Sequence, residues 1–190
     1  MRHLLLLPIT LLSVITVTLG VTFGLFTPLP SLAAEQQIEM FSISSQGIGD
    51  SIGSVIASDS PQGLVIKPSL HGLPAGEHGF HLHEIGDCGP GEKDGVALAG
   101  LAAGGHWDPD KTGKHLGPDG DGHRGDLSRL SVSNLNNEAI ATARAPRLEV
   151  SDLYNKALII HAGGDNYSDT PPLGGGGQRI ACGTSSIQDN

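Results

Sequence analysis

The sequence predicts an all-β domain, an eight-stranded Greek-key barrel or sandwich carrying two long functional loops. Three observations predict it. Short alternating or β-branched runs recur between turn signals, long amphipathic helical patterns are missing, and two connections are too long to be ordinary turns. The runs are, in order, Ile38 to Ser44, Ile52 to Ala57, Gly63 to Leu70, His78 to Glu84, Leu127 to Val132, Ala139 to Ala143, Ala157 to His161 and Gln178 to Ile187. Each carries apolar residues at period two or is apolar throughout, and glycine, proline, asparagine or aspartate stands between them. Val150 to Asn155 fits a single helical turn. Eight such strands fit a Greek-key arrangement.

The chain has 190 residues. From Leu4 to Ala34 there is no charged residue; Arg2 precedes a Leu/Ile/Val/Thr run that ends in Pro28, Pro30 and Ser31-Leu32-Ala33-Ala34. Residues 1–34 therefore read as an export signal cleaved after Ala33 or Ala34, and residues 35–190 as one domain. An uncleaved anchor is the competing reading, because the run is long enough to cross a bilayer of about 30 Å. The small residues and prolines at its end favour cleavage, which leaves no membrane attachment and a periplasmic or secreted protein. Removing Arg2 from eleven Lys+Arg leaves ten against twenty Asp+Glu, a formal charge of −10. That balance excludes nucleic acid as an expected partner. The two cysteines of an exported chain suggest one disulfide, Cys88 to Cys182, closing a loop worth on the order of 4–5 kcal/mol in the chain-entropy model.

The first long connection, residues 86–126, holds twelve of the 28 glycines together with four prospective metal ligands. Glycine lets the backbone bend so that several side chains meet one ion, and an ion supplies the order that such a loop lacks. The second, Ala162 to Gly177, contains Asp165 and the run Gly174 to Gly177. Neither has the lysine and hydroxyl residue of a phosphate-binding loop. In Phe80-His81-Leu82-His83, residues i and i+2 of a strand share a face about 6.6 Å apart, so the histidines point together while Phe80 and Leu82 turn to the core. His106, His115, His123, Asp126 and His161 follow. Seven candidate ligands exceed what one ion uses, so either two sites share a ligand or some of the seven are bystanders. Asp108-x-Asp110-x-Thr112-Gly113-x5-Asp119 is a degenerate calcium-loop pattern, but Pro109 and the glycines deny it flanking helices. His71 and His78 are not expected to be ligands, and Trp107 is expected to pack.

Gly79-Phe80-His81-Leu82-His83-Glu84, Gly104-Gly105-His106, Lys114-His115-Leu116-Gly117-Pro118, Gly122-His123-x-Gly125-Asp126-Leu127, His161-Ala162-Gly163-Gly164-Asp165 and Gly177-x-Arg179-x-Ala181-Cys182-Gly183 occur in this order. Taken together they resemble the copper,zinc superoxide dismutases of the bacterial secreted type, over nearly everything after about residue 36. The resemblance implies an immunoglobulin-like Greek-key barrel and an antioxidant enzyme that disproportionates superoxide to dioxygen and hydrogen peroxide. One copper per chain would be held by His81, His83, His106 and His161, and one structural zinc by His106, His115, His123 and Asp126. His106 would bridge the two as an imidazolate and take part in proton transfer, and Arg179 would guide superoxide. Asp165 would link His81 to His115, and Cys88 to Cys182 would tie the loop after the His-x-His strand to the strand of Arg179. The loop Ala162 to Gly177 has no lysine and no glutamate pair, so the charged guidance cluster of the animal-type relatives is missing. A non-enzymatic periplasmic copper or zinc buffer, or a chaperone-like domain, is the alternative. The sequence leaves monomer and homodimer both open.

Overall fold

The computed structural model describes residues 34–135, 138, 139 and 141–185. The expected export signal, apart from Ala34, lies outside them, as do Ser186 and Ile187 of the last expected strand and Ile140 of the expected strand Ala139 to Ala143. Among the described residues no helix is long and apolar enough to cross a membrane.

Strands β1 (Glu35–Ser44), β2 (Gly47–Ser60) and β3 (Gly63–Leu70) form an antiparallel meander. β4 (Gly76–His78), β5 (Phe80–His83), β6 (Gly91–Lys93), β7 (Val96–Leu98), β8 (Leu130–Val132), β9 (Ala143–Ala145), β10 (Ala157–His161) and β11 (Arg179–Thr184) follow. The main sheet runs β5-β10-β11-β1-β2-β3-β9, with β4-β8 and β6-β7 as separate pairs. β9 ends one edge of the main sheet, and the next strand, β10, lies beside β5 at the other. That long return is the Greek-key connection, and every strand pair is antiparallel, as the all-β immunoglobulin-like barrel requires.

β10 is apolar on both faces, and both are buried. Leu158 and Ile160 join Phe80, Leu82, Leu64, Ile66, Leu127 and Leu130 in the main core. Ala157 and Ile159 face the other way, against Cys182, Ile43, Cys88 and Ala103 beneath the first long loop. Each large apolar side chain buried in this way stabilises the fold by roughly 1.5–3 kcal/mol. The alternation carries into the expected ligands. His161 continues the face of Ala157 and Ile159, and the register sets His81 opposite Ile159 and His83 opposite Ala157. Three histidines thus stand on the loop side of two paired strands.

The expected run His78 to Glu84 is two strands. Gly79 is the switch, because its N–H donates to Gly163 O at 2.8 Å and its carbonyl accepts from His161 N at 2.8 Å, which sends β4 to β8 and β5 to β10. The strand expected at Ala139 to Ala143 lies further on, at Ala143–Ala145, while Ala139 makes only a bridge to Val132. A hairpin, β6-β7, interrupts the first long loop; its turn residues Asp94 and Gly95 have φ of 53° and 77°. The 3-10 turn at Val150–Leu153 matches the expected helical turn.

Candidate metal centre

The outer edge of β5 would be open without the first long loop, which lies along it in two extended pieces. Leu82 N donates to Gly125 O at 2.8 Å, Trp107 N to Leu82 O at 2.8 Å, Gly125 N to Trp107 O at 2.9 Å and Glu84 N to Gly105 O at 3.1 Å. His81 is thereby bridged to Asp126 and His83 to His106. Gly125 has to be glycine, because a Cβ there would lie 2.8 Å from Trp107 N and closer still to Leu82 O, both backbone atoms. This stitching, with β10 behind it, brings all seven expected ligands together, each buried.

The ring nitrogens divide into those that are bonded and those that are not. His81 Nε2 donates to Asp165 Oδ2 at 2.8 Å, His83 Nδ1 to Gly104 O at 3.0 Å and His161 Nδ1 to Gly177 O at 3.2 Å. Their other nitrogens, His81 Nδ1, His83 Nε2 and His161 Nε2, are buried without a partner, as is His106 Nε2. Since a neutral imidazole has one N–H, each of the three bonded rings leaves a bare lone pair. His81, His83, His106 and His161 offer donor atoms within 4.8 Å of one another. Beside them, Asp126 Oδ1 lies 2.9 Å from His106 Nδ1, 3.0 Å from His115 Nδ1 and 3.4 Å from His123 Nδ1. The nitrogens of His115 and His123 make no hydrogen bond there. Three nitrogens gathered on one carboxylate oxygen form the donor set of a tetrahedral ion.

A second compact group, His81, His106, His115 and Asp126, also has its donors within 4.8 Å. His81 has only Nδ1 to offer, however, since Nε2 is held by Asp165; His106 alone has a nitrogen for each group. Six partnerless imidazole nitrogens in a buried cluster would be costly in a protein with nothing to bind there, so the residues fit two metal ions.

The electrostatics agree with this division. Burial, joined by repulsion from neighbouring imidazoles, pushes His81 and His83 well below the ordinary histidine value, and burial lowers His106 despite its bond to Asp126. His161 falls to about 4, chiefly through burial. Neutral rings are what metal ligation needs. Burial also acts on His115, but the Asp126 carboxylate 3.0 Å from Nδ1 and the Asp165 carboxylate bonded to Nε2 outweigh it and raise this ring to about 9. Burial would raise both carboxyls; their bonds to the histidines hold Asp126 and Asp165 well below the usual carboxylate range.

Asp165 joins the groups: its Oδ2 takes His81 Nε2 and its Oδ1 takes His115 Nε2, each at 2.8 Å, with Tyr167 N at 2.7 Å on Oδ1. Gly174 packs over this junction at φ +72°, where a Cβ would meet Asp165 Oδ1 and lie 2.8 Å from His115 Nε2. Gly174 thus closes over a buried hydrogen bond, while Gly176 packs on His161. Arg179, half-buried, donates from Nη1 to Gly100 O at 2.5 Å and from Nη2 to Gly104 O at 2.7 Å. Its charge contributes to the lowering of His83 and His161, and its own pKa is lowered by burial. Cys88 and Cys182 are bonded, with Cα atoms 5.7 Å apart.

His78 and His71 stay outside both groups. The two ring nitrogens of His78 lie 2.7 Å from His161 O and 2.8 Å from Pro74 O, and His71 is exposed. In the calcium-like stretch, Asp108 accepts from Gly113 N and Thr112 Oγ1 while Asp110 pairs with Arg124, so its carboxylates already have partners. Trp107 packs against the core, with Lys156 Nζ 4.5 Å above its ring. Sequence reasoning missed Glu84, which accepts from Gly105 N at 2.9 Å, and Asp169, which accepts from His115 N at 3.2 Å. Glu84 could have been suspected from its place beside His83. Nothing local marks Asp169.

The family model described as copper/zinc superoxide dismutase matches residues 52–185. Superoxide dismutase [Cu-Zn] of Escherichia coli K12 is 53% identical over 153 residues, 80% of this chain and 88% of that protein. The protein of that name from Brucella abortus is 48% identical over 156 residues, 81% of this chain and 90% of its own. Among solved structures, the Cu/Zn superoxide dismutase from Brucella abortus superposes with a TM-score of 0.77 at 48% identity, covering 80% of this chain and 99% of that one. The monomeric copper, zinc superoxide dismutase from Salmonella enterica gives 0.71 at 52%, with the same coverage. With the paired histidine groups already in place on this barrel, the chain belongs to the copper/zinc superoxide dismutase family.

Proposed function

We infer that this chain is an oxidoreductase that disproportionates superoxide, two superoxide ions and two protons giving dioxygen and hydrogen peroxide. The observation that carries the reading is the set of six buried imidazole nitrogens without partners, arranged as two donor groups that share His106. Copper bound in the first group supplies one-electron exchange between its two oxidation states, and zinc in the second supplies structural order.

His81 Nδ1, His83 Nε2, His161 Nε2 and His106 Nε2 would hold copper; His106 Nδ1, His115 Nδ1, His123 Nδ1 and Asp126 would hold zinc. The N–H bonds to Asp165, Gly104 and Gly177 fix the tautomers of His81, His83 and His161, so their lone pairs point inward. His106 Nε2 would take up a proton and give it to the reduced product, while Nδ1 would belong to the zinc group. Arg179 binds the incoming anion. Its fork is fixed by two carbonyls beside the copper group, and its charge opposes that of an acidic protein. The chain keeps every donor of both groups and this arginine, which supports an enzyme over a metal buffer.

Residues 1–34 serve as an export signal and residues 35–190 as the working domain, in the periplasm or outside the cell. The uncharged run ending in Ser31-Leu32-Ala33-Ala34, the disulfide and the bacterial relatives support this. The monomeric relative from Salmonella enterica supports a monomer over a homodimer. Metal analysis and dismutation rate on one purified sample test the reading: one copper and one zinc per chain with rapid superoxide loss is expected, and a fully metallated but inactive protein would refute it.

A further inference from the structure

The zinc-side loop is gripped from outside by Arg147, a residue in neither donor group. Its guanidinium donates from Nε to Pro118 O at 3.4 Å, from Nη1 to Gly122 O at 2.8 Å and from Nη2 to His123 O at 2.5 Å. One acceptor belongs to a donor residue itself, one precedes it, and the third, Pro118, lies in the Gly117–Gly120 turn that follows His115. The stretch from Lys114 to Asp126 contains no helix or strand. Its own backbone bonds are His123 N to Lys114 O at 2.8 Å and two long ones of 3.4 Å, from Gly120 N to Gly117 O and from Asp126 N to His123 O.

Arg147 stands on firm ground. It follows β9, its neighbour Leu148 is buried in the main core, and Leu148 N closes a turn on Ala145 O at 3.1 Å. Pro146 in front of it has little backbone freedom. A planar guanidinium with five donors can hold three carbonyls at once, which the point charge of lysine cannot.

We propose that Arg147 is a positioning residue for the zinc donors, setting where His123 Nδ1 and Asp126 Oδ1 stand by holding the carbonyls of Pro118, Gly122 and His123. This rests on the assignment of zinc to His106, His115, His123 and Asp126. Copper should be little affected, since His81, His83 and His161 are held on β5 and β10 by bonds that Arg147 does not touch.

The test uses mature protein loaded with both metals, as parent, Arg147→Gln, Arg147→Lys and His123→Ala. Zinc transfer to a chromophoric chelator is followed, with copper content, the visible spectrum after cobalt(II) replaces zinc, and the thermal midpoint of the metal-free forms. Zinc release about tenfold faster is expected for Arg147→Gln, the scale on which outer partners of metal ligands act. Arg147→Lys should fall between, with an altered cobalt spectrum and unchanged copper. Parent-like zinc release and cobalt spectrum overturn the proposal, even if the metal-free midpoint falls, because that pattern is a merely structural role. If Arg147→Gln does not fold, Arg147→Lys decides, and zinc release at the parent rate overturns the proposal. Zinc kept at full affinity in His123→Ala would instead refute the ligand set beneath it.

Discussion

Replacing Gly125 by alanine tests whether the ligand loop is stitched to β5 as an added edge. The new Cβ would press on Leu82 O and lie 2.8 Å from Trp107 N, and neither backbone atom can swing aside as a side chain would. Relief requires the loop to lift from β5. Three hydrogen bonds then fail together: Leu82 N to Gly125 O, Trp107 N to Leu82 O and Gly125 N to Trp107 O, now 2.8, 2.8 and 2.9 Å. At about 1 kcal/mol each, the metal-free protein should lose about 3 kcal/mol, a factor of roughly a hundred in its unfolding equilibrium. Metal binding should suffer as well, because His106, His123 and Asp126 ride on the displaced segments. Urea unfolding of metal-free parent and Gly125→Ala, with copper and zinc analysis of the loaded forms, measures both effects. Gly113→Ala is the control: at φ +61° it is strained, but its Cβ meets nothing within 4 Å, so it should cost only about 1–2 kcal/mol and leave both metals bound. A Gly125→Ala protein within about 0.5 kcal/mol of the parent and fully metallated would refute the stitching argument.

His161→Ala should lose copper while keeping much of its zinc; equal loss of both in metal analysis would show that the two donor groups are not separable. Arg179→Ile should slow superoxide capture about tenfold, or about 1.4 kcal/mol, with metal content intact, and Arg179→Glu should slow it further. A fully metallated Arg179→Glu that matches the parent at low salt would make Arg179 an ordinary charge. For the metal-free protein, His161 held at about 4 against 6.5 when unfolded means the unfolded chain binds the extra proton between those values, so stability falls by about 3 kcal/mol as pH drops from 6.5 through 4. His115, raised to about 9, has the opposite sign: its contribution is complete below 6.5 and fades as pH rises through 9, and urea unfolding across pH 4 to 9 should show both slopes.

The strands at Gly63–Leu70 and Ala157–His161 were legible to the residue, because apolar runs there stop abruptly at glycine, histidine or a charged turn. The pairing of His81 with His83 followed from period two alone. The hairpin β6-β7 is legible in Asp94-Gly95, a two-residue turn signal whose residues both take the positive φ such a turn demands. Gly79 reads as one position of a continuous strand, since its switching role depends on Gly163 and His161, more than eighty residues away. Motif order drew the candidate site, yet the sharing of His106 came from resemblance, and only the count of bonded and bare nitrogens gives it a physical basis. Arg147 and Asp169 could not have been found in the sequence, because each acts on backbone atoms more than twenty residues off.

The carbonyl of Gly104 accepts from both His83 Nδ1 and Arg179 Nη2. A single oxygen therefore sets the electron-donating strength of one proposed copper ligand and the aim of the fork proposed to bind the anion. Withdrawing the guanidinium, whose charge lowers the His83 pKa and whose N–H draws on the same oxygen, strengthens the hydrogen bond from the His83 N–H and makes the ring a stronger base; removing the imidazole lets the fork re-seat. Capture rate and reduction potential are consequently not independent dials in this scaffold. Substitutions at positions 83 and 179 should fail to add in a double-mutant cycle, and a redesign that seeks a faster enzyme through Arg179 will retune the redox partner it was meant to leave alone.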